Sequence, residues 1–136
     1  KTHFNLSWDD YLQYFIRGEL WFGSWFDHVP EWWSHRDEPN VLFLKYEDMK
    51  KDLTVSVRTI AHFLGCHINE ETVQKIAKAT TIDSMKANSA EWIDQHFLRK
   101  GVVGDWKNQF TQAQSEAMDA AYHKSTKGTG LGFDFA

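Results

Sequence analysis

The chain has one cysteine in 136 residues, Cys66, so no internal disulfide can form. A lone thiol suits a reducing compartment, and the expected location is cytoplasmic. Long apolar runs are missing: spanning a bilayer takes about 20 consecutive residues, and nothing here approaches that. No signal peptide opens the sequence, so no membrane association is expected. Cationic excess is missing too. Fifteen Lys and Arg stand against 19 Asp and Glu, a net charge of −4, which excludes a globally basic nucleic-acid surface and confines any anion site to a local cluster. No internal repeat is visible. Asn5-Leu6-Ser7 fits a glycosylation acceptor, which matters only in a secreted protein. His62, Cys66 and His67 offer no fourth ligand at usual spacing, so no metal is expected.

What is present is apolar and aromatic. A hydrophobic content of 42% with 15% aromatics excludes disorder, and the length suits one domain. Ser7 reads as the N-cap of a first helix with Asp9 and Asp10 in its opening turn. Trp8, Leu12 and Phe15 share its face, and Gly18 ends it. Trp25, Val29 and Trp32 fall at helical spacing in a second helix, where Pro30 predicts a kink or a late start. Tryptophans at that spacing are expected to fill a core. Val41-Leu42-Phe43-Leu44 is a continuous apolar run, the pattern of a parallel strand buried on both faces, passing into Tyr46 near a carboxyl end where ligands gather. Val57, Ile60, Ala61 and Leu64 mark a further helix stopped by Gly65, and Asn69 caps the next, with Val73, Ile76 and Ala77 as its inner stripe. Thr111 with Gln114 forms a capping-box pattern for a last helix, whose inner face is Ala117, Met118 and Ala121. The Gly-rich tail from Gly128 to Gly132 reads as a flexible terminus.

The stretch on which a function depends is Phe97 to Thr111, FLRKGVVGDWKNQFT. Arg99 and Lys100 stand side by side before Gly101, with Gly104 three residues on. Backbone at Gly turns sharply and approaches a ligand closely. Successive N–H groups in such a turn hold anions, Arg adds a planar fork and Lys a point charge. The chemistry is that of a phosphate clamp. Taken alone, Arg-Lys-Gly fits an exposed turn with two solvated cations at least as well.

The longer run Arg-Lys-Gly-x-x-Gly-Asp-Trp-Lys-Asn-x-Phe-Thr resembles the C-terminal signature of the cytosolic sulfotransferases. The resemblance implies that Arg99, Lys100 and Gly101, led in by Phe97 and Leu98, hold the 3′-phosphate of the donor 3′-phosphoadenosine 5′-phosphosulfate. Tyr46-Glu47-Asp48-Met49 is similar to the family segment whose Tyr lies against the adenine ring. Without that resemblance, a half-buried strand-end Tyr is an equal reading. Thr80-Thr81-Ile82-Asp83-Ser84-Met85-Lys86 resembles the segment lining the adenine pocket, so Thr80, Thr81, Ile82 and Met85 are implied donor contacts. Ile82 replaces the stacking Phe, a loss of about 1 kcal/mol of aromatic contact. Phe22 stands where the family places an acceptor-lining aromatic; a plain core Phe is the alternative. The segment 89–96 is shorter than the family's acceptor lid, with Trp92 and Ile93 available to rebuild it. The family's dimer motif has counterparts in Lys107, Thr111 and Glu116, with Gln112 where Val is usual, which weakens a homodimer by that route.

The resemblance also implies an α/β fold: a P-loop-NTPase-like three-layer α/β/α sulfotransferase architecture. Residues 1–136 would be the mostly helical C-terminal part of that single domain, with one core parallel strand near 41–46. The Gly-rich phosphate loop, the other 3′-phosphate ligands and the family's catalytic His have no counterpart in this sequence. The expected function of the complete protein is sulfuryl transfer to a hydroxyl or amine of a small molecule such as a phenol, alcohol, steroid or amine, without a metal. This piece alone is expected to be inactive. The alternative is an inactive nucleotide-binding sulfotransferase-like module.

Overall fold

The computed structural model describes residues 6–88 and 97–135. Among these lie seven α-helices: α1 (Trp8–Arg17), α2 (Trp25–Ser34), α3 (Tyr46–Lys51), α4 (Leu53–Phe63), α5 (Glu70–Ala79), α6 (Ile82–Asn88) and α7 (Gln112–Thr126), with a short 3-10 helix at Asp105–Asn108. Contacts divide the chain into two compact units, Lys1–Phe43 with Trp106–Gly132 and Leu44–Asp105 with Phe133–Ala136. No described helix is long and apolar enough to cross a membrane.

In the first unit, local chemistry sets each helix end. Ser7 Oγ accepts the Asp10 N–H at 3.1 Å, and Gly18 closes α1 in the left-handed conformation. Ser24 Oγ does the same for Asp27 at the start of α2. Pro30 lies inside α2, which runs on to Ser34 with the one hydrogen bond that proline cannot donate missing. The capping box of α7 is complete: Thr111 Oγ1 accepts from Gln114 N, and the Gln114 side chain accepts from Thr111 N at 2.9 Å. Gln114 also accepts from Trp8 Nε1 at 3.3 Å and donates to Asp9, tying α7 to α1. Leu12 and Phe26 are the buried apolar side chains of α1 and α2.

Three expectations need correction here. The tryptophans at helical spacing do not fill a core. Trp32 is 49% exposed and Trp25 half-buried, while Phe26 is the buried residue of α2. The apolar run at 41–44 forms no strand among the described residues, and Tyr46 opens α3 rather than ending a strand. A strand exists only where a neighbouring ladder satisfies its backbone groups, and no described segment supplies one; Phe43 instead meets Trp33 edge-on at 5.0 Å. The Gly-rich tail is anchored rather than loose. Leu131 is buried, Trp33 Nε1 donates to the Thr129 carbonyl at 3.0 Å, and Thr129 Oγ1 bonds to the Thr126 carbonyl.

The second unit is built on α4 and α5. Val57, Val73 and Ala77 form its buried cluster, with Leu53 and Ile68 packed against it. Asp52 caps α4 by accepting from Val55 N at 3.0 Å, and Asn69 caps α5 by accepting from Thr72 N at 2.9 Å. A bidentate pair joins the two helices: Arg58 Nε and Nη2 donate to the two Glu70 oxygens at 3.1 and 2.7 Å. The Arg58 hydrogen bonds hold Glu70 below the usual 4.5 of a glutamate, and the Thr54 hydroxyl holds Asp52 below 3.8. Carboxylates depressed in the folded state stabilise it above their unfolded values, and that contribution disappears as pH falls through the folded ones. Thermal unfolding should therefore show a loss of stability on going from pH 6 to below about 4, and Glu70→Gln should flatten that slope. The groups are exposed, so the effect is modest and shrinks in high salt. An unchanged slope in Glu70→Gln removes the pair from the account.

Candidate functional site

The Arg-Lys-Gly turn belongs to the second unit and is shaped by two glycines. Gly101 and Gly104 both take positive φ, 64° and 80°, a region that side-chain-bearing residues rarely occupy. Two such turns within four residues fold the segment back on itself. They bring Asp105 under the two cations: Arg99 Nη1 donates to Asp105 Oδ2, and Lys100 Nζ donates to Oδ1 at 2.8 Å. The Asp105 side chain is 6% exposed, whereas those of Arg99 and Lys100 are 61% and 55% exposed. A buried carboxylate thus sits behind two solvent-facing cations, leaving a net positive charge at the surface of the turn.

Gly101 also meets the second predicted segment. A Cβ built on it would lie 3.0 Å from Ile82 Cβ and 3.2 Å from Ile82 Cγ1. The start of α6 therefore lies against the cationic turn, joining two stretches that are 19 residues apart in sequence. Thr81 caps α6, its Oγ1 accepting from Ser84 N at 3.3 Å and donating to the Lys78 carbonyl at 3.1 Å. Thr80 Oγ1 donates to the Ile76 carbonyl at 2.9 Å. Both hydroxyl protons are committed to backbone carbonyls, so toward a ligand these groups act as acceptors. Met85 is 37% and Tyr46 48% exposed at the starts or faces of α6 and α3. An open recess of about 430 Å³ runs along Gly101, Val102 and Val103 on one side and Glu47, Lys50 and Lys51 of α3 on the other. Lys51 is held there by Asp134 at 2.8 Å.

The remaining predicted residues fall elsewhere. Phe97 is 88% exposed and Leu98 half-buried. Phe22 belongs to the first unit and is 98% exposed. Lys107, Thr111 and Glu116 are exposed; Gln112 Nε2 donates to Glu116 at 2.9 Å, so the residue standing where Val was expected has its own partner. The short lid at 89–96, with Trp92 and Ile93, lies outside the described residues. Asp105 is the residue that sequence reasoning passed over. The available signal was an acid inside an otherwise cationic run, five and six residues from its partners across two glycines.

A paired-cation turn packed on a capped helix has the chemistry to take up an anionic group. The sulfotransferase domain family matches residues 1–130, and the chain belongs to that family. Human sulfotransferase 1C2 is 41% identical over 93% of this chain and 47% of its own length. Among solved structures, mouse sulfotransferase SULT7A1 complexed with PAP aligns with a TM-score of 0.82 at 38% identity, covering 90% of this chain and 48% of that one. Retinol dehydratase in a complex with retinol and PAP aligns with a TM-score of 0.88 at 30% identity, covering 96% and 41%. The chain spans about half the length of the relatives it matches.

Proposed function

We propose that the complete protein transfers a sulfuryl group from 3′-phosphoadenosine 5′-phosphosulfate to a hydroxyl or amine of a small molecule, and that this chain supplies the 3′-phosphate and adenine contacts. The observation that carries the reading is the convergence of Arg99 and Lys100 on one side of the Gly101 turn, with Ile82 against that turn. PAP, adenosine 3′,5′-bisphosphate, is what this donor becomes after giving up its sulfuryl group, and the two aligned structures are PAP complexes. In the proposed site the two cations and the Gly101 backbone bind the 3′-phosphate. Thr80 and Thr81 accept from the adenine amine, while Ile82, Met85 and Tyr46 cover the base, and Phe97 and Leu98 lead into the turn. The acceptor oxygen or nitrogen attacks sulfur as the bond from sulfur to the bridging phosphate oxygen breaks. Positioning and charge neutralisation supply most of the acceleration. The base that takes the acceptor proton is not among these residues.

Within the same proposal, residues 1–136 form the C-terminal part of one three-layer domain. The exposure of Trp21, Phe22, Phe97 and Val102 supports it, since large apolar side chains left in solvent mark surfaces that other structure covers. Phe22 would then line the acceptor pocket. A homodimer through Lys107, Thr111 and Glu116 is the weaker component, because Gln112 already engages Glu116. The second reading is a module that binds the nucleotide without turnover. Titrating adenosine 3′,5′-bisphosphate into the complete protein, alongside an assay with phenolic, alcoholic and amine acceptors, decides between them. Binding with transfer supports the enzyme, binding without transfer supports the module, and no binding removes both.

A further inference from the structure

Asp105 is the one acidic group inside the cationic turn, and its placement asks for a reason. Its carboxylate is 6% exposed, and each of its two oxygens engages a different cation, Oδ2 with Arg99 Nη1 and Oδ1 with Lys100 Nζ. A planar carboxylate fixed in the fold thereby sets the separation and direction of two long side chains that are otherwise more than half exposed. The charges at the turn sum to one surplus cation, and that surplus faces solvent.

We propose that Asp105 is a positioning residue that holds Arg99 and Lys100 in a common geometry for an incoming phosphate. This rests on the nucleotide-binding reading above and deepens it. Two effects oppose each other. The carboxylate repels a bound phosphate, but its charge is offset by the two cations that stand between it and solvent, so the residual repulsion is worth about threefold in affinity. Leaving Arg and Lys untethered means that binding must freeze both, which costs roughly tenfold for each side chain if it is fully ordered. Preorganisation therefore outweighs repulsion, and removing Asp105 weakens binding even though it makes the turn more positive.

The test uses the complete protein with Asp105→Asn, which keeps the shape, and Asp105→Ala. Affinities are measured for adenosine 3′,5′-bisphosphate and for adenosine 5′-monophosphate, which lacks the 3′-phosphate, and thermal midpoints are recorded beside them. The expected result is a loss of about fivefold to tenfold for the bisphosphate in Asp105→Ala, a smaller loss in Asp105→Asn, and unchanged monophosphate binding. Tighter bisphosphate binding in either variant would show Asp105 to be a competitor for the cations and overturn the proposal. So would equal losses for both nucleotides accompanied by a lowered midpoint, the mark of a purely structural acid. The Arg99→Ala/Lys100→Ala protein separates the two levels of inference. If it keeps its preference for the bisphosphate, the clamp reading itself fails. If it loses that preference while the Asp105 variants keep theirs, only the role given to Asp105 fails.

Discussion

Replacing Arg99 and Lys100 together by Ala should weaken adenosine 3′,5′-bisphosphate binding to the complete protein by about a hundredfold and leave adenosine 5′-monophosphate binding almost unchanged. A hydrogen bond to a charged group is worth about 1.5–3 kcal/mol, and the turn offers two cationic side chains to one phosphate. Their exposure of 61% and 55% argues for the lower half of that range, so about 3 kcal/mol in total, or roughly two powers of ten. Arg99→Lys should lie between, because the ammonium keeps the charge but loses the planar fork. The measurement is calorimetric titration of both nucleotides at two salt concentrations. The loss should shrink as salt rises, since screening already weakens the wild-type contact. A parallel fall in monophosphate affinity would mean that the pair supports the fold rather than the 3′-phosphate.

The sequence makes the helical scaffold readable because each helix announces its ends in local chemistry. Ser7, Asn69 and Thr111 act as caps through contacts three residues away, and Gly18 stops α1 by its own backbone conformation. What depends on distant partners is not written in a local pattern. The run at 41–44 has the composition of a strand, but composition says nothing about whether a ladder lies beside it. The tail from 128 to 132 looks loose from its glycines, yet Leu131 and the Trp33 bond to the Thr129 carbonyl hold it in place. The same distinction applies to the site. Arg99, Lys100 and Gly101 are legible as a cationic turn, while the meeting of Gly101 with Ile82 and of Asp105 with both cations needs the fold. Asp105 in particular reads as a liability in an anion site until its burial behind the cations is seen.

Gly101→Ala tests the other half of the site, the close approach of the turn to α6, and its effect has two separable causes. The first is backbone. At φ 64° an L-residue with a Cβ pays about 1–2 kcal/mol that glycine does not. The second is contact: the new Cβ would sit 3.0 Å from Ile82 Cβ and 3.2 Å from Cγ1, so the first turn of α6 has to give by a few tenths of an ångström. The variant should lose about 2 kcal/mol of stability and show weaker nucleotide binding, because the displaced group is the one proposed to cover the base. Gly101→Asn should be milder in backbone cost, since Asn enters the left-handed region more readily, while carrying the same Cβ contact. Ile82→Ala in the Gly101→Ala background removes Cγ1 and the other γ-carbon but not Cβ. It should recover only part of the loss, giving a coupling of about 0.5–1 kcal/mol in a double-mutant cycle. Strict additivity of the two substitutions would place Ile82 and Gly101 out of contact in solution. With that contact gone, the turn and the adenine segment would no longer form one site.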